Sequence, residues 1–404
     1  MFDLKEKLLI SIITKNDSSK LDRLLDSIFR HPVLNQMQIF ILDSSSDKQY
    51  ILSNQQILNK YPTLTIKIVN KFDWETVKTA FTQSLNSSSD FTLLQSFKIG
   101  AENYNCPDNR NVQIFLLLYY YPHKKHVLFL DDDMLVTEKF SLSKYHLRDL
   151  VGLKIIGCPD FSRIQWIRFY LLYLSKKHNI KLRLQKRNLT DNTFCSITLL
   201  KTAFLIKNYT DLYVADDHHL VSTPLTFHTR GFDTGSFICN SKYFNKIMYP
   251  LVFPEQMIWL NILIKRGVRL TLSKQKIIHA SSKKSVLQFD TLKYELEGIV
   301  IQEFFLSKLP LTETNMQKAR NNLIKDVSLY LGIGKKIYSK YNPSQKFEKD
   351  QLITLLECLL KVKTYLLEQK IDQYLSISSE YIQNNIKWRK IAKLLDRKHI
   401  STYT

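Results

Sequence analysis

The chain has 404 residues, 44% of them hydrophobic and 12% aromatic, enough for two domains or one large domain with an addition. Only 9 Gly and 10 Pro argue against long disordered linkers, and a formal net charge of +21 points to anionic partners: nucleotide diphosphates, nucleic acid or an anionic membrane surface. Cys106, Cys158, Cys195, Cys239 and Cys358 show no paired spacing and read as reduced thiols of a cytoplasmic protein. No run reaches the ~18 apolar residues of a spanning helix, and the charged start Met1–Lys7 is not a signal peptide. The expectation is a soluble or membrane-peripheral chain.

Leu8–Thr14 is a β-rich run, followed by the turn Lys15–Ser19 with helix-capping residues. Leu21, Leu24, Leu25 and Ile28 then recur at helical spacing. Gln38–Asp43 reads as a second strand ending in an acid and Thr65–Val69 as a third, with helical segments between. This alternation predicts a parallel, doubly wound sheet. A polar loop over 103–108 leads to Asn109-Arg110-Asn111, which opens an apolar helix from Val112 to Tyr121.

His126–Val136 is the stretch on which the chain is organised. Val127-Leu128-Phe129-Leu130 reads as a strand buried on both faces, and it ends in Asp131-Asp132-Asp133. Three adjacent carboxylates repel one another, and burying them is unfavourable unless a cation neutralises them. Mg²⁺ or Mn²⁺ takes such hard oxygen ligands and bridges to phosphates. The C-terminal end of a strand in an open α/β sheet is also where ligands bind.

Beyond residue 150 the segment Arg163–Arg187 alternates aromatics and bases, fitting either a core helix with snorkelling ends or a helix lying on an anionic bilayer. Asp216-Asp217-His218-His219 reads as a surface or acceptor loop. Two scarce glycines, Gly231 and Gly235, flank Asp233 and imply close backbone approach. Pro254 and Glu255 start a helix that runs to Lys265-Arg266-Gly267. Val268–Leu272 and Lys276–Ala280 read as two further strands. From about residue 287 the pattern is helical, with Lys318–Leu331 and Gln351–Leu367 as amphipathic stretches and Gly332-Ile333-Gly334 as punctuation.

The order of these features resembles the GT-A-fold glycosyltransferases, especially those similar to glycosyltransferase family 2, over roughly residues 8–285. The features that carry it are the opening strand and polar turn Ser11–Asn16, the strand ending in Asp43, the pair Arg110-Asn111, and Asp131-Asp132-Asp133 as the Asp-x-Asp signature. The resemblance implies a nucleotide-diphospho-sugar transferase fold, a Rossmann-like mixed sheet flanked by helices, over residues 1–286. An α-helical C-terminal region over 287–404 would be its appendage. It further implies Mn²⁺ or Mg²⁺ held by Asp131, Asp133 and His279, and a nucleotide-sugar donor near Thr14, Asn16, Asp43, Arg110, Asp131 and Asp132. Asp43 would meet the base, and Glu255 or Asp233 would take the proton of an acceptor hydroxyl on a glycan, lipid or protein. Gln256 stands where such enzymes commonly carry a second acid, and an amide cannot accept that proton.

Two other classes fit less well. A nucleotidyltransferase usually carries a Gly-rich loop after its first strand, and Lys15–Ser19 has no Gly. A nucleic-acid binder would explain the charge but not carboxylates at the end of a buried strand, and the chain has no recognised nucleic-acid motif. The expected partners are therefore the sugar donor and a hydroxyl acceptor, with no specific nucleic acid. Oligomers and peripheral membrane contact are left open.

Overall fold

The computed structural model describes residues 4–83, 91–100, 106–142, 147, 149–157, 171, 219–221, 236–252, 255–268, 270–280, 297–298, 300–301, 304, 310–340 and 346–401. The alternation read from the sequence is built as expected. α1 (Leu4–Lys7), β1 (Leu8–Thr14), α2 (Ser18–Phe29), β2 (Gln38–Asp43), α3 (Lys48–Leu58), β3 (Thr65–Val69), α4 (Lys71–Gln83), α5 (Thr92–Ser96), α6 (Cys106–Tyr120) and β4 (His126–Asp131) follow in order. Asp17 and Asp47 start α2 and α3 by accepting the backbone N–H groups of Lys20 and Gln49. β5 (Met134–Val136), β6 (Leu150–Gly157), β7 (His219–Val221), β8 (Ser236–Asn240), α7 (Glu255–Lys265) and β9 (Leu270–His279) come next. The chain closes with α8 (Glu313–Tyr338), α9 (Lys346–Glu368) and α10 (Ile371–Ser401).

β3, β2, β1 and β4 lie side by side and parallel. Beyond β4 the sheet is mixed. β8 runs antiparallel to β4 and β6, β6 runs parallel to β9, and β5 and β7 pair antiparallel with β9. The shared direction of β1, β2 and β4 brings their C-terminal ends together, with Thr14 opposite Asp43 and Ile13 opposite Asp131.

Period-2 alternation divides the core between the two faces of the sheet. Leu8, Ile10, Ile12, Ile39, Ile41, Leu128 and Leu130 point toward α2 and its neighbours. Leu9, Phe40, Leu42, Val127, Phe129 and Phe237 point toward α4, α6 and α7. Helices on both faces of a sheet that is parallel at its centre make the α/β class.

Two sequence expectations need correction. The runs read as Val268–Leu272 and Lys276–Ala280 contribute to one strand, β9, whose pairing with β6 continues on both sides of Ser273–Gln275 through a register shift. Gly332-Ile333-Gly334 does not interrupt its helix: α8 runs through it. A Cβ at Gly334 would come within 2.4 Å of Leu356 Cδ2, so this glycine serves the close approach of α8 and α9.

α8, α9 and the start of α10 build a separate apolar cluster around Met316, Val327, Leu352, Val362 and Tyr374. The later part of α10 leaves it, and Tyr381, Trp388, Ile391, Ala392 and Leu395 join the core on the α6 face of the sheet. Trp388 is fully buried and its Nε1 donates to Phe244 O at 2.6 Å. We expect Trp388→Ala to cost about 3–5 kcal/mol in urea unfolding. Truncation after residue 286 should give an aggregating fragment through the apolar surface it uncovers. A soluble, cooperatively folding fragment 1–286 would show that α10 is dispensable to that core.

Candidate functional site

The three aspartates do not form one uniform acidic turn: Asp131 ends β4, Asp132 and Asp133 make the turn after it, and each is held by different partners. Asp131 sits on the α6 side. Its carboxylate pairs with the Arg110 guanidinium, which is almost fully buried, while the Asp131 side chain is 30% exposed. Arg110 is held in turn: its Nη1 donates to Gln113 Oε1 at 3.2 Å, and Gln113 Nε2 donates to Ser11 Oγ at 2.8 Å. Ser11, Gln113 and Arg110 are all buried, so a polar chain runs from the middle of β1 through α6 to the strand-end carboxylate. Each amide atom of Gln113 has one partner, as burial of a polar group requires.

Asp132 faces the other way. Thr14 Oγ1 donates to its Oδ2 at 2.8 Å, and Lys15 N–H reaches the same oxygen at 3.4 Å. Burial is the main effect on its acidity and raises its pKa to about 7. The Thr14 hydroxyl and the charge of Lys20 act against that rise, and Asp133 and Asp131 add to it. Asp133 is tied through its backbone, its carbonyl accepting Ala280 N–H at 2.7 Å. Met134 pairs with His279 across β5 and β9, so the end of β9 lies beside the Asp133 turn. The His279 side chain is outside the described residues, and among those described no three His, Cys, Asp or Glu side chains form a metal-holding group. The carboxylates of Asp131 and Asp133 are of the hard oxygen type that suits a divalent cation.

The loops after β1 and β2 are laced together. Asn16, in the left-handed region at φ 52°, receives Ser46 N–H on its Oδ1 and donates Nδ2 to Ser46 Oγ, each at 3.0 Å. Its own N–H meets Ser45 Oγ at 3.0 Å. Asp43 is fully buried, with one carboxylate oxygen accepting Ser45 N–H and the other accepting Asn54 Nδ2, both at 3.0 Å. Gly100 packs against this loop at φ +70°, where a Cβ would stand 2.8 Å from Ser45 O. In this structure, therefore, Asn16 and Asp43 shape the loop floor beside Thr14.

Glu255 is buried at the first position of α7, where the helix dipole favours an anion. Burial pushes the Tyr249 phenol well above its ordinary pKa; Arg110 opposes this, and Cys239, Glu255 and Asp131 reinforce it. Asp233, Gly231 and Gly235, the Asp216–His218 cluster and most of Arg163–Arg187 lie outside the described residues. The sequence reading missed Ser11, Gln113 and Gly100. For the first two the signal was a lone polar side chain inside an apolar run.

The Asp132 shift sets a pH dependence. A folded-state pKa near 7, above the ordinary 3.8, gives a contribution to stability that is full below about pH 4 and is lost as pH rises through about 7. Asp132→Asn can still accept the Thr14 hydroxyl but carries no charge. We expect its stability relative to wild type to improve by about 2–4 kcal/mol between about pH 5 and about pH 8, read from urea midpoints. A constant difference across that range would remove Asp132 as a strained acid.

No protein-family model matches the chain, and no curated relative is found. Among solved structures, it is similar to a mannosyltransferase from Pyrobaculum calidifontis in complex with GDP-Man and Mn²⁺, at 10% identity over 96% of this chain and 86% of that one, TM-score 0.40. It is similar to TarS of S. aureus at 13% identity, over 93% of this chain and 55% of that one, TM-score 0.37. It is also similar to glucosyl-3-phosphoglycerate synthase from Mycobacterium tuberculosis in complex with phosphoglyceric acid, at 10% identity over 76% of this chain and 82% of that one, TM-score 0.38.

Proposed function

We propose that this chain transfers a sugar from a nucleotide-diphosphate donor to an acceptor hydroxyl. The observation that carries the reading is the Asp131–Asp133 turn at the C-terminal edge of the parallel strands. Arg110 grips Asp131 on one face, Thr14 grips Asp132 on the other, and the end of β9 is fastened to Asp133. Carboxylates gathered at that edge suit a phosphate-bridging cation better than a solvated turn, which would need no buried arginine behind it.

In this reading Asp131 and Asp133 would hold Mn²⁺ or Mg²⁺, with His279 as a further ligand. The bound cation would supply charge compensation for a departing nucleotide diphosphate. Arg110 fixes the direction of the Asp131 carboxylate, and the Gln113–Ser11 chain fixes Arg110. Thr14 and Lys15 N–H hold Asp132. The loop shaped by Asp43 and Asn16 would receive the nucleoside. Glu255 is the proposed acceptor base, taking the hydroxyl proton onto its carboxylate, and Asp233 is the second candidate.

Asp133→Ala should abolish Mn²⁺-dependent binding of UDP or GDP in calorimetry while the melting temperature changes little. Undiminished metal-dependent affinity would remove Asp133 from the site. For the base, Glu255→Gln keeps shape and loses proton-accepting charge. Transfer should then fall by about 10²-fold or more, with donor affinity retained. Near-normal transfer by Glu255→Gln alongside a dead Asp233→Asn would move the base to Asp233.

A further inference from the structure

Between β8 and α7 the chain passes through Phe244–Tyr249, which after the short turns that follow β8 belongs to no helix or strand at its end. Irregular buried backbone needs partners for its N–H and C=O groups, and here side chains of three helices supply them. Trp388 Nε1 donates to Phe244 O at 2.6 Å and Arg389 Nε to Lys246 O at 3.1 Å. Tyr381 Oη donates to Met248 O at 2.9 Å, and Met248 N–H donates to Asn385 Oδ1 at 3.0 Å. All four of those side chains belong to α10. From α6, Asn111 closes both backbone groups of Tyr249, at 2.8 and 3.0 Å. From α7, Trp259 Nε1 donates to Ile247 O at 3.0 Å.

Tyr381 and Asn385 act as a pair, Tyr381 from within the same core in which the Trp388 ring packs on Phe97. They grip one residue, Met248, at both its N–H and its C=O. Asn385 cannot turn freely to do otherwise, because its Nδ2 donates to Tyr381 O at 2.8 Å and so points Oδ1 at Met248. Next to Met248, the Tyr249 ring stacks on Trp259 with centroids 4.6 Å apart and planes 23° apart. α10 is thereby joined, through Met248 and Tyr249, to the helix that begins with Glu255. The anchors of the donor carboxylates, Ser11, Gln113 and Thr14, lie on β1 and α6, and among the described residues their side chains bond to one another, to Arg110 and to Asp132.

We infer that α10 is a positioning element for the acceptor side of the site, with Tyr381 and Asn385 as the positioning residues that set α7 and Glu255 through Met248. This rests on the role proposed above for Glu255. The C-terminal helices would then act on turnover while contributing no reacting group.

The test uses the full chain and three variants. Asn385→Leu removes the acceptor for Met248 N–H, Tyr381→Phe removes only a hydroxyl, and Asn385→Asp keeps the acceptor. Hydrogen exchange is followed by mass spectrometry over 244–252, 255–265 and 126–133. Calorimetry with UDP or GDP and Mn²⁺ and the turnover of sugar nucleotides complete the comparison. For Asn385→Leu, and more mildly Tyr381→Phe, exchange at 244–252 and at the start of α7 should rise at least about tenfold. Exchange at 126–133 and nucleotide-diphosphate affinity should stay within about twofold, kcat should fall with donor KM unchanged, and Asn385→Asp, which keeps the acceptor but loses the donor to Tyr381 O, should exchange more slowly at 244–252 than Asn385→Leu. Exchange that rises equally at 126–133, or affinity that falls in parallel, would make α10 a general support and overturn the proposal. So would unchanged exchange in α7. A wild-type chain that binds no nucleotide diphosphate would sink the glycosyltransferase reading, while the exchange data would still decide whether α10 sets α7.

Discussion

The Arg110–Asp131 pair is the contact on which the site depends. A buried guanidinium is costly to desolvate and keeps its place only where a carboxylate and further acceptors surround it. Here the carboxylate comes from the end of β4 and the further acceptor from Gln113, whose Nε2 donates to Ser11 Oγ in β1. α6 is therefore locked to both central strands by polar contacts, inside a face otherwise filled by Phe40, Phe115, Phe129 and Trp74. Apolar packing gives that face its stability, but it is non-directional. The polar chain gives direction to one carboxylate at the edge where β1, β2 and β4 end.

The same economy governs the other two acids. Charges crowded into consecutive residues would repel in any single environment, and the end of β4 and the turn after it give each a different partner. Asp131 goes to the arginine, Asp132 to the Thr14 hydroxyl, and Asp133 is fixed by its carbonyl to Ala280. Arginine and hydroxyl are unequal partners. Burial lifts the Asp132 pKa to about 7 against the opposing Thr14 hydroxyl, whereas Asp131 faces a full positive charge.

The helical C-terminal region is divided in the same physical sense. α8 and α9 pack on each other with Gly334 at a point of close approach, and they hold their own apolar cluster. The latter part of α10 belongs to the sheet's core and satisfies the backbone of Phe244–Met248. An irregular segment so fully bonded by side chains is rigid for a reason other than secondary structure. Among the described residues no helix is long and apolar enough to cross a membrane.

The sequence by itself determined the alternating strands and helices, the buried character of β4 and the acid cluster at its end. Each of these is local: period-2 and helical spacing, capping Asp17 and Asp47, and the run Val127–Leu130 depend on near neighbours in the chain. It also pointed to Arg110 and to Glu255 through their order along the chain. Only the tertiary structure decided that Arg110 meets Asp131, that Thr14 meets Asp132, and that Asp43 and Asn16 bind loop groups. These pairings depend on strand register and helix placement, which composition does not encode. The division of α10 between two cores was equally hidden, because an amphipathic helix reads the same whichever surface covers its apolar face. Gly332 and Gly334 misled for a related reason: a glycine that permits close helix packing cannot be told from one that ends a helix until the neighbour, here Leu356, is in place.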